Sequence, residues 1–197
     1  MPLKLNSTSG GSVTLQEPTT ASNRTITFPD GTGTVAVNGV SSNIVSGTSQ
    51  ASTSGTSIDF TSIPSWVKRI TVMFNGVSTN GTSSLLIQLG DSGGIENTGY
   101  ISTSITDDTG GGSLGTSSTA GFVYYQDQAS YLGYGIVTII LVSGTTWVAS
   151  HTGRMTTTNV VTGGGGKTLS DTLDRVRITT VNGTDTFDAG TINILYE

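Results

Sequence analysis

Apolar and polar residues alternate along much of the chain after residue 57. Four segments show the alternation most clearly, with apolar residues at every second position: Ile70/Val72/Phe74, Leu85/Ile87/Leu89, Val176/Ile178 and Ile192/Ile194/Tyr196. A two-residue period is typical of a strand with one buried face, and no segment between the strands has the longer period of an amphipathic helix. The pattern therefore predicts an all-β fold built from antiparallel strands.

Short turns divide this part of the chain into ten predicted strands. They are Ser57–Phe60, Val67–Asn75, Ser84–Gly90, Gly99–Thr106, Gly121–Tyr125, Gly135–Val142, Thr145–His151, Lys167–Asp171, Asp174–Thr180 and Thr191–Tyr196. This spacing is typical of a sandwich, so we expect one jelly-roll-like antiparallel β-sandwich over residues 57–197. Ile136–Val142 is apolar without alternation, which predicts a central strand covered on both faces, with a neighbouring subunit as a candidate for the second cover.

The N-terminal segment, residues 1–46, has a weaker pattern of the same kind. It carries four short apolar pairs separated by turn residues, Leu3/Leu5, Val13/Leu15, Ile26/Phe28 and Val35/Val37. So few apolar residues do not form a core that is stable alone, and the segment has neither Cys nor His for a disulfide or a metal. We therefore expect residues 1–46 to be an arm that is ordered by oligomerisation, followed by a Ser/Thr/Gly linker over residues 47–56.

Composition and charge exclude several classes of function. Eight Lys and Arg against 13 Asp and Glu give a net charge of −5, so a nucleic-acid partner is not expected. With no Cys and a single His, the chain lacks the residues for disulfides, thiolate sites or a multi-histidine metal site. The longest apolar run, Ile136–Val142, is much shorter than the ~20 residues that span a bilayer, so we expect no membrane partner.

Three motifs match catalytic or phosphate-binding patterns in residue type but not in the spacing or structural context that these patterns require. Residues 162–168 look like a phosphate loop, but Val161 stands where the first glycine is needed, and we expect an exposed glycine hairpin. Residues 110–115 match dinucleotide and nucleophile-elbow patterns, both of which require a following helix that is not predicted. His151 is expected to be an ordinary strand-end residue, and Asp107-Asp108 a solvated loop. We therefore predict no enzyme activity, no metal site and no cofactor.

Tyrosines are concentrated in the middle third of the chain. Tyr131 and Tyr134 flank a Leu-Gly pair in a predicted loop, and Tyr100 opens a predicted strand. Tyrosine combines an apolar ring with a hydroxyl group at a low entropic cost, which suits contacts with sugars or proteins. Tyr100, Tyr131 and Tyr134 are therefore candidate receptor-binding residues, although core packing is the commoner role of such rings.

Two blocks of the chain resemble a known family. Residues 11–37 read GSVTLQEPTTASNRTITFPDGTGTVAV, a pattern of strand, proline turn, strand, Pro-x-Gly-Thr-Gly and strand; residues 57–80 read SIDFTSIPSWVKRITVMFNGVSTN. The first block resembles a segment of tail-fibre and other fibrous virion proteins of tailed bacteriophages, and the second is similar to C-terminal domains of phage fibre proteins. The resemblance implies a homotrimer whose N-terminal part joins other virion structural proteins of the tail or capsid.

The resemblance leads to an expected function. The protein is predicted to be a structural component of a bacteriophage virion, made in the host cytoplasm, and to form a short homotrimeric fibre. Its C-terminal domain would contact a glycan or protein of the host surface. The alternative is a head fibre or capsid decoration protein with no role in host binding. A depolymerase is disfavoured, because it needs a positioned pair of carboxylates and the acidic residues are sparse.

Overall fold

The computed structural model describes residues 3–6, 8–15 and 44–197, and all regular structure within these ranges is β-strand. The strands are β1 Leu3–Asn6, β2 Ser12–Leu15, β3 Val45–Ser46, β4 Gln50–Ala51, β5 Ile58–Phe60, β6 Arg69–Thr79, β7 Leu85–Asp91, β8 Gly94–Ile95, β9 Ile101–Asp108, β10 Ser113–Ser118, β11 Phe122–Tyr124, β12 Gly133–Ser143, β13 Thr146–Arg154, β14 Asn159–Thr168, β15 Arg175–Thr180 and β16 Phe187–Tyr196. In the same ranges, no helix is long and apolar enough to cross a membrane.

The chain divides into two compact units, residues 1–37 and residues 38–197. In the first unit β1 pairs with β2 in an antiparallel hairpin. Gly10 lies in its turn with a φ of 88°, a conformation that favours glycine. The apolar pairs at Ile26/Phe28 and Val35/Val37 lie outside the described residues.

The second unit is an antiparallel β-sandwich, which confirms the predicted fold class. Its larger sheet has nine strands in the order β10-β9-β14-β13-β12-β6-β16-β3, and β4 also pairs with β16. Its smaller sheet has five strands in the order β11-β7-β15-β5, with β8 on β7. Residues 45–51, expected at the end of the arm and in the linker, thus contribute β3 and β4 to the edge of the larger sheet.

The hydrophobic core lies between the two sheets. The alternating apolar residues of β6, β7, β15 and β16 are buried there, as their period predicts, and only Tyr196 is partly exposed. On β12, Val137 and Ile139 belong to this core. Ile136 and Ile140 point to the opposite side and are 49% and 44% exposed. This strand is central, between β13 and β6, but its outer face remains open to solvent.

The glycine run at residues 163–166 is not the exposed hairpin that the motif suggested. It lies inside β14, between β13 and β9. A Cβ atom at Gly165 would overlap the carbonyl oxygen of Ile101, and one at Gly163 would overlap that of Thr103. The hairpin prediction was wrong because the run is part of the sheet: at Gly163 and Gly165 the β14 strand lies too close to β9 for a side chain, so these two positions need glycine for packing.

Candidate functional site

A cleft of about 340 Å³ opens beside the turn between β9 and β10. It is lined by Thr106, Asp108, Gly110, Gly112, Leu114, Tyr125, Asp127, Tyr131 and Asn159. Thr106 and Leu114 are directly opposite each other in the β9–β10 pair and so point to the same face of the sheet. The cleft volume is at the lower end of the range usual for small-molecule sites.

A tight turn forms one wall of the cleft. The Asp108 side chain accepts a hydrogen bond from the Gly110 amide at 2.9 Å through Oδ1, and the Gly111 amide donates to the Asp108 carbonyl at 2.8 Å. Gly111 has a φ of 91°, which favours glycine. Because β10 follows this turn directly, residues 110–115 lack the helix that a dinucleotide site or a nucleophile elbow requires.

A second turn, between β13 and β14, places Asn159 in the cleft. Its Oδ1 atom accepts hydrogen bonds from the Met155 and Thr156 amides, both at 3.0 Å. Thr158 donates its hydroxyl to Asp108 Oδ2 at 3.3 Å, which joins this turn to the first. With its carbonyl oxygen occupied, Asn159 has its amide nitrogen left to donate to a ligand.

Tyr125 and Asp127 are adjacent lining residues of the cleft. The Tyr125 hydroxyl donates to Asp127 Oδ2 at 2.9 Å. Burial, and next the hydrogen bond to Asp127, raise the pKa of Tyr125 to about 12, so the phenol stays protonated. Tyr125 therefore holds one oxygen of the Asp127 carboxylate in place and leaves the other to accept from another donor.

Two buried polar atoms of the cleft residues lack a partner within the described ranges. They are Thr106 Oγ1 and Asp127 Oδ1. Thr106 is 7% exposed, so little solvent reaches its side chain. Leaving such an atom unpaired costs about 1–3 kcal/mol. A ligand whose hydroxyl groups reach these two atoms would satisfy one hydroxyl and one carboxylate oxygen.

The structure separates the three tyrosines chosen from the sequence. Tyr131 lines the cleft and packs partly against the core. Tyr134 belongs to β12 and not to a loop, and it lies on the outer side of the larger sheet with the Arg154 guanidinium 5.3 Å from its ring centre. Tyr100 is only 1% exposed, and its hydroxyl accepts a hydrogen bond from the Leu89 amide at 2.6 Å. As a core residue it offers no surface to a receptor.

His151 is a buried residue inside β13 and not a strand-end residue. Its Nε2 atom lies 2.9 Å from Ser104 Oγ, and that oxygen also accepts from the Tyr125 amide at 3.1 Å. Burial lowers the pKa of His151 to about 4. Ser104 is fully buried, so this serine–histidine pair is not accessible to a substrate and stabilises the packing of the two sheets.

The cleft combines groups that suit a neutral polar ligand. Tyr131 and Leu114 provide apolar surface, Asp127 accepts hydrogen bonds, and Thr106 and Asn159 can donate them. Among the described residues, its lining includes two carboxylates but neither Lys nor Arg, which disfavours anions. No family model matches the chain, and no curated protein or solved structure is significantly similar to it.

Proposed function

We propose that the protein is a non-enzymatic component of a bacteriophage virion, a short homotrimeric fibre whose C-terminal sandwich binds a neutral glycan of the host surface. The observation that carries the binding role is the pair of unpartnered atoms, Thr106 Oγ1 and Asp127 Oδ1, in a cleft that also presents Tyr131. The virion assignment is supported by the resemblance of residues 11–37 and 57–80 to phage fibre proteins.

Sugar chemistry matches this cleft. A pyranose ring carries hydroxyl groups that both donate and accept hydrogen bonds, and its C–H face packs against aromatic rings. The Asp127 oxygen would accept from one sugar hydroxyl, Thr106 would pair with another, and Tyr131 would contact the ring. An acidic sugar would face two carboxylates without a balancing cation. Neutral hexoses and N-acetylhexosamines are therefore the ligands that the cleft favours.

The carboxylates of the cleft support binding without cleavage. A glycosidase needs two carboxyl groups that act directly on the scissile bond. Both oxygens of Asp108 are occupied within the chain, Oδ1 by the Gly110 amide and Oδ2 by the Thr158 hydroxyl. Asp127 has one oxygen held by Tyr125. Weak binding at a single cleft is sufficient for adhesion, because linked copies on one particle raise avidity by ~10²–10⁴.

A glycan array tests the binding role. Full-length protein is applied to immobilised neutral and anionic oligosaccharides, and the neutral ones are expected to bind. Because Thr106→Val removes one hydrogen bond and Tyr131→Ala removes the ring contact, each should weaken binding at least about tenfold. Tyr134→Ala is the matched control and should leave binding unchanged. Absence of binding to every neutral glycan would overturn the proposed ligand class.

Particle experiments distinguish the fibre from the decoration protein. Virions in which the protein lacks residues 57–197 should assemble normally, by electron microscopy, but adsorb poorly to host cells. Unchanged adsorption would favour the alternative, a head fibre or capsid decoration protein without a role in host binding. Antibody labelling of whole particles would show whether the protein lies on the tail or on the head.

A further inference from the structure

The outer face of the nine-stranded sheet, the side that points away from the core, carries a group of large apolar side chains that are exposed. Six of the 13 such side chains among the described residues define this face: Ile101, Ile105, Ile136, Ile140, Val148 and Val160. Each is between 42% and 81% exposed. They come from four adjacent strands, β9, β14, β13 and β12, so they form one patch and not scattered single residues.

The strand register aligns these residues in rows across the sheet. Ile140 is opposite Val148, and Val148 is opposite Gly166, which is opposite Ile101. A parallel row joins Ile136 to Ile105 through two threonines of β13 and β14. Because directly opposite residues share a face, the apolar groups project together from one side of the sheet.

Strand β9 has its apolar residues on the solvent side. Ile101 is 81% exposed, whereas Ser102 and Ser104 are buried on the inner face. The serine hydroxyls accept hydrogen bonds from the Val123 amide at 2.9 Å and the Tyr125 amide at 3.1 Å. A shift of the β9 register by one residue would turn its isoleucines inward but would break the hydrogen bonds of the two serines. The orientation of β9 is therefore well determined, and its isoleucines are left without a cover by the described residues.

The charge of the outer face favours a second copy of the chain as that cover. Between the apolar residues the rows contain Ser, Thr and Gly. Charged residues occur only at the ends, where Arg69 is opposite Ile140, Arg154 is opposite Tyr134 and Asp107 is opposite Val160. The whole chain carries a net charge of −5, so two copies repel each other through most surfaces. An uncharged face is where copies approach with the least repulsion.

The area of the face reaches the lower limit of a specific interface. Four strands at a spacing of about 4.8 Å and four rows about 6.7 Å apart give roughly 19 Å by 27 Å, or about 510 Å². With the same area on the partner, the contact would bury about 1,000 Å² in total, which is the size expected at least of a specific interface. The outer face is thus large enough to form a specific contact between subunits.

We propose that a second copy of this chain covers the outer face, which makes this face the subunit interface of the oligomer. The inference rests on the oligomeric part of the proposed function and is independent of glycan binding. The cleft lies on the inner side of the same sheet, as the direction of Thr106 shows. Association of subunits through the outer face therefore keeps the cleft, on the inner side of the sheet, accessible to a ligand.

Light scattering on full-length variants provides the first test. The double variant Ile136→Lys and Val148→Lys places charges in the middle of the face and should reduce the measured mass from that of the oligomer to the 20.1 kDa of one chain. Val181→Lys is the control: Val181 is 52% exposed but follows β15 of the smaller sheet, so the oligomer should persist. Circular dichroism checks that both variants keep their β structure.

Thiol labelling provides a second test that does not depend on disruptive substitutions. The chain has no cysteine, so Ser150→Cys introduces a single thiol at the centre of the face. A maleimide should react with it at least about tenfold more slowly than with Ser92→Cys, which lies in an exposed turn, because the interface must open first. Equal labelling rates in an oligomer would overturn this interface but leave the oligomer intact. A monomeric wild-type protein would overturn both.

Discussion

The two faces of β9 carry the reverse of the usual distribution of side chains. Its inner face presents Ser102, Ser104 and Thr106, all buried, and its outer face presents Ile101 and Ile105, both exposed. On β6 and β16, which lie farther along the same sheet, the apolar residues point inward in the usual way. Strands of one sheet thus follow opposite rules.

The difference is explained by hydrogen bonding at the edge of the smaller sheet. Among the described strands, β11 pairs only with β7, so amides on its other side need acceptors from elsewhere. Ser102 and Ser104 supply them across the sandwich. Unpaired backbone groups opposite a strand can therefore determine which of its faces points inward. The hydrophobic face of that strand is then left for another molecule.

The largest expected effect comes from separating β9 from β14. Gly165→Val places a side chain against the Ile101 carbonyl and should lower the free energy of unfolding by about 3 kcal/mol or more, because neither strand can move without breaking the ladder. Gly112→Ala is the control, since a Cβ atom there meets no atom within 4 Å. Urea denaturation measures both. A Gly165→Val protein as stable as the control would contradict the close approach.

A direct comparison of the two faces uses alanine on adjacent residues. Ser104→Ala removes the acceptor of the Tyr125 amide and the partner of His151, so we expect a loss of about 2 kcal/mol in unfolding free energy. Thr103→Ala changes the exposed outer face and should cost much less. Equal losses in urea denaturation would mean that the inward serine is not what orients the strand.

Because His151 is buried, we expect the free energy of unfolding to fall already at pH values above the range in which carboxylates titrate. Burial lowers its pKa from 6.5 to about 4, so the unfolded chain binds the proton first and stability falls as the pH drops below 6.5. By linkage, the loss at pH 5 is about 2 kcal/mol relative to pH 8. Urea denaturation of the wild type and of His151→Gln at both pH values measures it. If the variant keeps the same pH dependence, another group is responsible.

The smallest expected effect has the opposite sign and sharpens the assignment of the cleft. Thr106→Val removes a buried hydroxyl that has no partner in the described ranges, so the free energy of unfolding should rise by about 1 kcal/mol. A gain in stability together with weaker glycan binding is the signature of a residue that serves the ligand. A loss of stability in thermal or urea unfolding would show that the hydroxyl has a structural partner.

Local patterns predicted those strands whose apolar side chains point inward. The positions on β6, β7, β15 and β16 could be read from the sequence, because burial of every second residue leaves a direct signal. The alternation of apolar residues did not identify the glycine run as part of β14. Close packing between strands requires glycine there, and glycine leaves no alternating pattern in the sequence. It also missed β10, Ser113–Ser118, whose small polar residues resemble a loop.

The candidate site shows the same division. Tyr131 could be chosen from the sequence because an aromatic residue near glycine is typical of a surface loop. Tyr125 and Asp127 were missed because their role depends on Thr106, which is brought beside them by the packing of the two sheets. Tyr100 is an equivalent tyrosine in the sequence but lies in the core.

The sequence by itself determined an antiparallel β-sandwich, a chain without thiols, and a net negative charge, because periodicity and composition are properties of the chain alone. Only the tertiary structure decided which face of β9 is buried, that the glycine run forms a strand, and which polar groups meet in the cleft. Those features depend on whether a backbone amide or a carbonyl from a distant strand lies within reach, and such distances exist only after the two sheets have packed together.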